Sequence, residues 1–173
     1  SAEQIASADP APGVTFRVAP AEASGLDARS VDLVTVAQAL HWFDIDAFFI
    51  EADRVLKPGG VLAVWSYERC KLDEPINALV EAVFEAVEPF WPPERDIVDS
   101  GYRGIRLPWP EIDAPAFEMT ADWTADNMLG YMQTWSAARG CFAELGKAAT
   151  AGVEAQLRSR WGPEMRRIRW PLR

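Results

Sequence analysis

A strand, an amphipathic helix and a second strand follow one another directly between residues 31 and 65. Val31–Val36 is a β-branched run typical of a buried strand, and Val61–Trp65 is a second apolar run of the same kind. Between the two runs, apolar side chains recur at helical spacing, namely Ile45, Phe49, Ala52 and Leu56. A crossover of this length predicts two parallel strands with a right-handed connection, and therefore an α/β fold.

The ends of this helix carry recognisable signals. Asp44 or Asp46 can cap its first turn, because a short acidic side chain accepts a hydrogen bond from a free backbone N–H. Residues 57–60, Lys-Pro-Gly-Gly, are expected to stop it, since proline cannot continue a helix and glycine accepts a left-handed turn.

The rest of the chain predicts a single domain over residues 1–173, because no linker or repeat divides it. Alternating side chains predict strands at Val14–Val18, Ala116–Thr120 and Arg167–Arg173. Helical spacing predicts further helices, one capped by Asp73, one capped by Thr124 that carries Tyr131 and Trp135, and one that ends at Gly162.

Composition excludes several classes of function. A net charge of −9 disfavours a nucleic-acid partner. No run is long and apolar enough to span a membrane. The two cysteines, Cys70 and Cys141, are isolated and lack metal-ligand spacing, which suits a reducing compartment, so a cytoplasmic location is expected.

Two long segments resemble a known family. Residues 31–44 (VDLVTVAQALHWFD) and 52–65 (ADRVLKPGGVLAVW) are similar to the middle of class I S-adenosylmethionine-dependent methyltransferases. The small-molecule branch that includes trans-aconitate-methyltransferase-like proteins is the most similar, and Gly130-Tyr131, Thr134–Ala137 and Trp161–Leu172 also match. The resemblance implies a Rossmann-like sheet with an antiparallel last strand, Arg167–Leu172, inserted beside Val61–Trp65.

The resembling family has elements that this sequence lacks. Its glycine-rich cofactor loop and its first two strands are absent, and the chain begins abruptly at Ser1. We therefore expect an N-terminally truncated methyltransferase domain with an incomplete sheet, which lacks on the order of 60 residues. The truncated chain is expected not to hold S-adenosylmethionine, and its open edge at Val14–Val18 could favour a homodimer or a strand-swapped association.

The resemblance also implies site residues, since ligands bind beyond the carboxyl ends of parallel strands. It places Ala21 and Glu22 at the adenine and Ala37 and Gln38 beside the methionine part of the cofactor. The candidates for acceptor binding are Trp42, Tyr67, Tyr131 and Trp135. For the aromatic candidates core or helix packing is the alternative, and for Glu22 it is a solvated loop carboxylate.

The expected function is S-adenosylmethionine-dependent methyl transfer to a small-molecule carboxylate or hydroxyl group. His41, the only histidine, could act as a general base for a hydroxyl acceptor, whereas a carboxylate needs no base. A structural or substrate-orienting role for His41 is the alternative. No metal site, nucleic acid or membrane is expected. A second hypothesis is a non-catalytic binding or scaffold remnant of a methyltransferase that no longer binds cofactor.

Overall fold

Short helices and strands are interspersed along the chain in an α/β fold. The computed structural model describes residues 1–173 apart from the side chain of Lys147. Two segments, Ser1–Val64 and Trp65–Arg173, each form a compact unit. The elements are α1 (Ala2–Ala6), β1 (Val31–Ala37), α2 (Ile45–Val55), β2 (Leu56–Trp65), α3 (Ile76–Val87), α4 (Arg95–Asp99), β3 (Glu118–Trp123), α5 (Ala125–Gln133), α6 (Ser136–Leu145), α7 (Ala151–Trp161) and β4 (Arg166–Pro171).

The crossover predicted for the first unit is confirmed. β1 and β2 are neighbours in a parallel pair, and α2 connects them. The Asp44 carboxylate caps α2 by accepting a hydrogen bond from the Ala47 N–H at 3.2 Å. Phe48, Phe49 and Ala52 are buried on the apolar face of α2. Local periodicity and one cap therefore determine this part of the fold.

The start of β2 differs from the prediction. β2 begins at Leu56, directly after α2, so residues 57–60 lie inside the strand range and do not form a separate loop. Gly59 takes a left-handed φ of +82° there. A Cβ atom on Gly60 would come within 2.9 Å of Leu56 Cδ2 and 3.0 Å of the Lys57 carbonyl oxygen. Glycine at position 60 thus permits a close backbone approach that a larger residue would prevent.

The strand predicted at Val14–Val18 is wrong. Residues 14–20 lie outside every strand of the described chain, and Val14, Phe16 and Val18 are 51%, 46% and 63% exposed. A strand requires a neighbour that pairs with its backbone N–H and C=O groups. The alternating pattern is present, but no described strand lies beside it.

One buried carboxylate holds the loop before β1 against α2. Glu51 Oε1 accepts hydrogen bonds from the N–H and the hydroxyl of Ser24, at 2.9 and 2.5 Å. Arg54 donates to both oxygens of Glu51, at 2.7 and 2.8 Å, and to the Leu26 carbonyl at 2.7 Å. The bonds from Arg54, and then those from Ser24, lower the pKa of Glu51 to about 2.

The second unit packs its helices and the β3–β4 pair around one core. β3 and β4 are antiparallel, with a register that runs from Glu118 opposite Pro171 to Trp123 opposite Arg166. On its other side, β4 and the residues that follow it pair antiparallel with the segment 66–71. The last strand is antiparallel and alternates as predicted, because Ile168 and Trp170 are buried while Arg167 and Arg169 are exposed. Its expected position beside Val61–Trp65 is wrong, because β4 pairs with β3 in a sheet separate from β1 and β2, and its other neighbour is the segment 66–71 that follows β2.

Several local boundaries in the second unit differ from the sequence prediction. Thr124 caps α5 as expected, but α5 ends at Gln133, so Tyr131 and Trp135 do not share a helix. Trp135 instead occupies the N-cap position of α6. Asp73 contributes its backbone carbonyl, not its side chain, to the start of α3.

The lowered pKa of Glu51 predicts an acid-sensitive first unit. The folded-state pKa is about 2, whereas the ordinary value is 4.5. The unfolded chain therefore takes up a proton first, and the stability that Glu51 contributes above pH 4.5 is lost as the pH falls toward 2. Urea midpoints measured across this window should fall more steeply for the wild type than for Glu51→Gln.

The control for this experiment is Glu85→Gln, which removes an exposed carboxylate from α3. This variant should keep the wild-type pH profile. Equal acid sensitivity in wild type and Glu51→Gln would contradict the role of Glu51.

Candidate functional site

The carboxyl end of β1 combines an exposed residue with a neighbour in an uncommon backbone conformation. Ala37, the last residue of β1, is exposed. Gln38 follows with a left-handed φ of 51°, which is uncommon for a residue other than glycine and is concentrated at functional sites. Leu40 is 1% exposed and anchors the next turn, Leu40–Trp42, in the core of the first unit. Ala37 and Gln38 are thus held by a buried neighbour while they remain near the surface.

His41 and Trp42 lie on that turn. Their ring centroids are 4.8 Å apart with a tilt of 49°. His41 is half-buried, whereas Trp42 is 60% exposed. An exposed indole of this size offers apolar contact area to a ligand, and histidine, the residue beside it, is the side chain most often used as a general acid or base.

Glu22 connects the loop before β1 to the start of α2. Its Oε1 accepts a hydrogen bond from the Asp44 N–H at 2.9 Å, and Ala21 and Glu22 are both half-buried. A carboxylate at this position is favoured by the N-terminal end of the helix dipole. The structure therefore brings Glu22 next to the segment that contains His41 and Trp42. The residues lie far apart in sequence, and nothing in the local pattern indicates this contact.

The second unit holds an aromatic cluster formed by Trp123, Tyr131, Trp135 and Trp170, with Tyr67 near Tyr131. The Tyr131 ring lies 5.3 Å from Trp123 and 5.7 Å from both Trp135 and Trp170. Sequence reasoning proposed Tyr67, Tyr131 and Trp135 but missed Trp123 and Trp170 as their neighbours. The pairing of β3 with β4 brings those two indoles together, with ring centroids 5.0 Å apart.

Tyr131 is the polar centre of the aromatic cluster. Its hydroxyl accepts a hydrogen bond from Trp170 Nε1 at 3.3 Å. Burial first, and then the nearby Tyr67, raise the pKa of Tyr131 to about 12. The phenol therefore keeps its proton at neutral pH and can donate a hydrogen bond, but it cannot act as a base there.

Trp135 is packed in the core of the second unit. Its side chain stacks on Phe84 with ring centroids 4.0 Å apart, and it is 7% exposed. Trp91 lies 6.1 Å away on another side. The packing alternative considered for Trp135 thus accounts for its surroundings.

The residues that the structure describes offer little support for a metal site, a membrane span or a nucleophilic cysteine. These residues contain no group of three or more histidines, cysteines or carboxylates placed to hold a metal ion. No described helix has the length and apolar character needed to cross a membrane. Burial raises the pKa of the Cys70 thiol to about 12, so it is a poor nucleophile near neutral pH.

Comparison with known proteins finds methyltransferases. A family model described as a methyltransferase domain matches residues 1–64. A solved structure from Anaeromyxobacter dehalogenans, provisionally named a type II methyltransferase, is 40% identical with a TM-score of 0.91, over 99% of this chain and 74% of that one.

Curated relatives agree with this result. A protein of Dictyostelium discoideum, provisionally named a methyltransferase, is 33% identical over 77% of this chain. The chain spans about half, 52%, of that protein's length. An uncharacterized methyltransferase of Mycobacterium tuberculosis is 53% identical over 47 residues, which are 27% of this chain and 19% of that protein.

The different surroundings of two tryptophans generate a prediction about stability. Trp135→Ala removes a buried indole and should lower the free energy of unfolding by roughly 3–5 kcal/mol. Trp42→Ala removes a 60% exposed indole and should change it by only about 0.5 kcal/mol or less. Urea unfolding monitored by circular dichroism measures both. A comparable loss in the two variants would contradict the placement of Trp42 at the surface.

Proposed function

Since this chain belongs to the class I methyltransferase family, we propose that it transfers a methyl group from S-adenosylmethionine to a small-molecule acceptor. The acceptor group is a carboxylate or a hydroxyl. The observation that carries this proposal is the end of β1, where exposed Ala37 is the last residue of a parallel strand and Gln38, with a left-handed φ, follows it. The family relationship supports methyl transfer in general, and the strand end supplies a location for it.

The residues at the end of β1 fit the methionine part of the cofactor. Ala37 has a small side chain, so a ligand can approach the backbone closely, and the Gln38 amide can both donate and accept hydrogen bonds. We propose that Ala21 offers a backbone N–H to the adenine ring and that Glu22 accepts from its amino group with the oxygen not used by Asp44. When bound, S-adenosylmethionine supplies a methyl group activated by a positively charged sulfonium.

These four residues supply only part of the contacts that such a cofactor uses. β1 leads into Gln38-Ala39-Leu40 and β2 leads into Ser66-Tyr67-Glu68, so neither strand is followed by a glycine-rich loop. Backbone N–H groups of such a loop are the usual donors to anionic cofactor groups. We therefore propose that the described chain binds the cofactor weakly, and experiments on it should use millimolar cofactor.

The candidates for acceptor contact are supported separately within each unit. In the first unit, Trp42 offers an exposed apolar face. In the second unit, Tyr67 and Tyr131 offer phenol groups, and Tyr131, whose pKa burial raises to about 12, stays protonated at neutral pH and can donate a hydrogen bond. Trp135 acts mainly by packing against Phe84 and supporting Tyr131.

The role of His41 depends on the acceptor. A hydroxyl acceptor must lose its proton when it attacks the methyl group, and an imidazole can take that proton. A carboxylate is already ionised at neutral pH, so it needs alignment and exclusion of water but no base. We propose His41 as the base for hydroxyl acceptors only.

A non-catalytic remnant is the second candidate function. The observation that favours it is the missing glycine-rich loop after β1 and β2. A remnant would bind small molecules without transferring a methyl group. Turnover therefore separates the two functions.

The first test uses S-adenosylmethionine labelled in its methyl group, at several millimolar, with a panel of carboxylic acids and phenols. We expect label to move to at least one acceptor as a methyl ester or a methyl ether. Heat-denatured chain is the control. Binding of panel members without any labelled product would favour the remnant.

The second test separates cofactor binding from proton transfer. Gln38→Ala should weaken binding of S-adenosylhomocysteine by about 1 kcal/mol, roughly fivefold, because one hydrogen-bonding side chain is lost. His41→Ala should lower kcat for a phenol by about 10²-fold or more and leave kcat for a carboxylic acid unchanged. Steady-state kinetics with both acceptor classes measures this difference. An equal loss for both classes would make His41 a structural residue.

A further inference from the structure

A charged cavity lies in the second unit, apart from the residues proposed for methyl transfer. Its volume is about 540 Å³, within the usual range for small-molecule sites, and its walls come from the segment 68–72, α3, residues 98–103 and β4 with its continuation. None of the nine candidate site residues named above lines it. Five basic side chains contribute to the walls, namely Arg69, Lys71, Arg103, Arg169 and Arg173.

The cavity has a net positive charge, although the whole chain has a net negative charge. Its five basic residues exceed its three acidic ones, whereas the whole chain carries a net charge of −9. Such local concentration of one charge attracts ligands of the opposite sign. The balance therefore favours an anion as the occupant.

The three carboxylates of the cavity are already engaged. Glu81 pairs with Arg69 at 3.3 Å, and Asp99 pairs with Arg95, outside the cavity, at 2.8 Å. Glu68 is shared between Arg173 and Lys71, and its distance to Lys71 Nζ is long, at 3.7 Å. In the part of the chain that the structure describes, the Arg169 guanidinium has no ion-pair partner.

Arg169 and Lys71 are held side by side. They form an antiparallel bridge in which the Lys71 N–H donates to the Arg169 carbonyl at 2.8 Å and the Arg169 N–H donates to the Lys71 carbonyl at 3.1 Å. Directly opposed residues of this kind place their side chains on the same face, about 5 Å apart at Cβ, and like charges there are unfavourable. An anion bound between the two side chains would remove that repulsion.

We propose that this cavity binds a compact polyanion with two or more carboxylate or phosphate groups. Arg169 and Lys71 hold one anionic group between them. Arg103 donates a hydrogen bond from Nε to the Ser100 carbonyl at 2.9 Å, and its remaining guanidinium N–H groups bind a second anionic group. The planar fork of arginine suits both carboxylate and phosphate oxygens. This site goes beyond methyl transfer and does not require the cofactor.

The experiment is calorimetric titration of the full 173-residue chain with citrate and with pyrophosphate, at constant ionic strength maintained with chloride. We expect saturable binding of at least one probe. Arg169→Gln and Lys71→Gln should each weaken it by at least tenfold. The matched control is Arg167→Gln, which removes the same charge two residues earlier on β4, where Arg167 pairs with Asp122 outside the cavity.

The outcomes separate the chemical classes. Binding of citrate alone identifies a polycarboxylate site, and binding of pyrophosphate alone identifies a phosphate site. Circular dichroism checks that each variant is folded. Because Arg169 and Lys71 are replaced separately, the folded variant still tests the proposal if the other one fails to fold. The proposal is overturned if neither probe binds saturably, or if Arg167→Gln weakens binding as much as Arg169→Gln.

Discussion

The hydrogen-bonded pair of Glu51 and Arg54 is the interaction on which the first unit depends. Glu51 accepts from Ser24, and Arg54 reaches the Leu26 carbonyl, so one turn of α2 fixes the loop that precedes β1. A buried carboxylate is costly unless its oxygens are satisfied, and here both are. Because that loop is fixed, Glu22 can also reach the start of α2, beside the turn that carries His41 and Trp42. The proposed cofactor-binding end of β1 is thus supported by a network that lies away from it.

In the second unit, the alternation of β4 serves two purposes at once. Its buried face contributes Ile168 to the core and Trp170 to the aromatic cluster. Its exposed face presents Arg167 to Asp122 and Arg169 to the charged cavity. A shift of one residue in the β3–β4 register would exchange these faces, so packing of the core also positions the basic side chains.

The features predicted correctly from the sequence are those encoded locally. The crossover of β1, α2 and β2, the Asp44 cap and the alternation of β4 each follow from residues close together in the chain. Val14–Val18 has an equally clear strand pattern, but a strand also needs a partner, and no local pattern reveals one. The break between α5 and α6 was missed because residues 134–136 contain neither glycine nor proline. The contacts of Glu22 with Asp44 and of Lys71 with Arg169 join distant segments, so only the fold reveals them.

Our central claim is that the end of β1 forms part of a cofactor site and that the described residues supply only some of its contacts. Titration of this chain with S-adenosylhomocysteine tests it most directly. We expect a dissociation constant in the millimolar range that increases further in Gln38→Ala. Each lost polar contact costs about 1 kcal/mol, and about 1.4 kcal/mol is a factor of ten in affinity. Micromolar affinity that is unchanged in Gln38→Ala would contradict both the location and the incompleteness of the site.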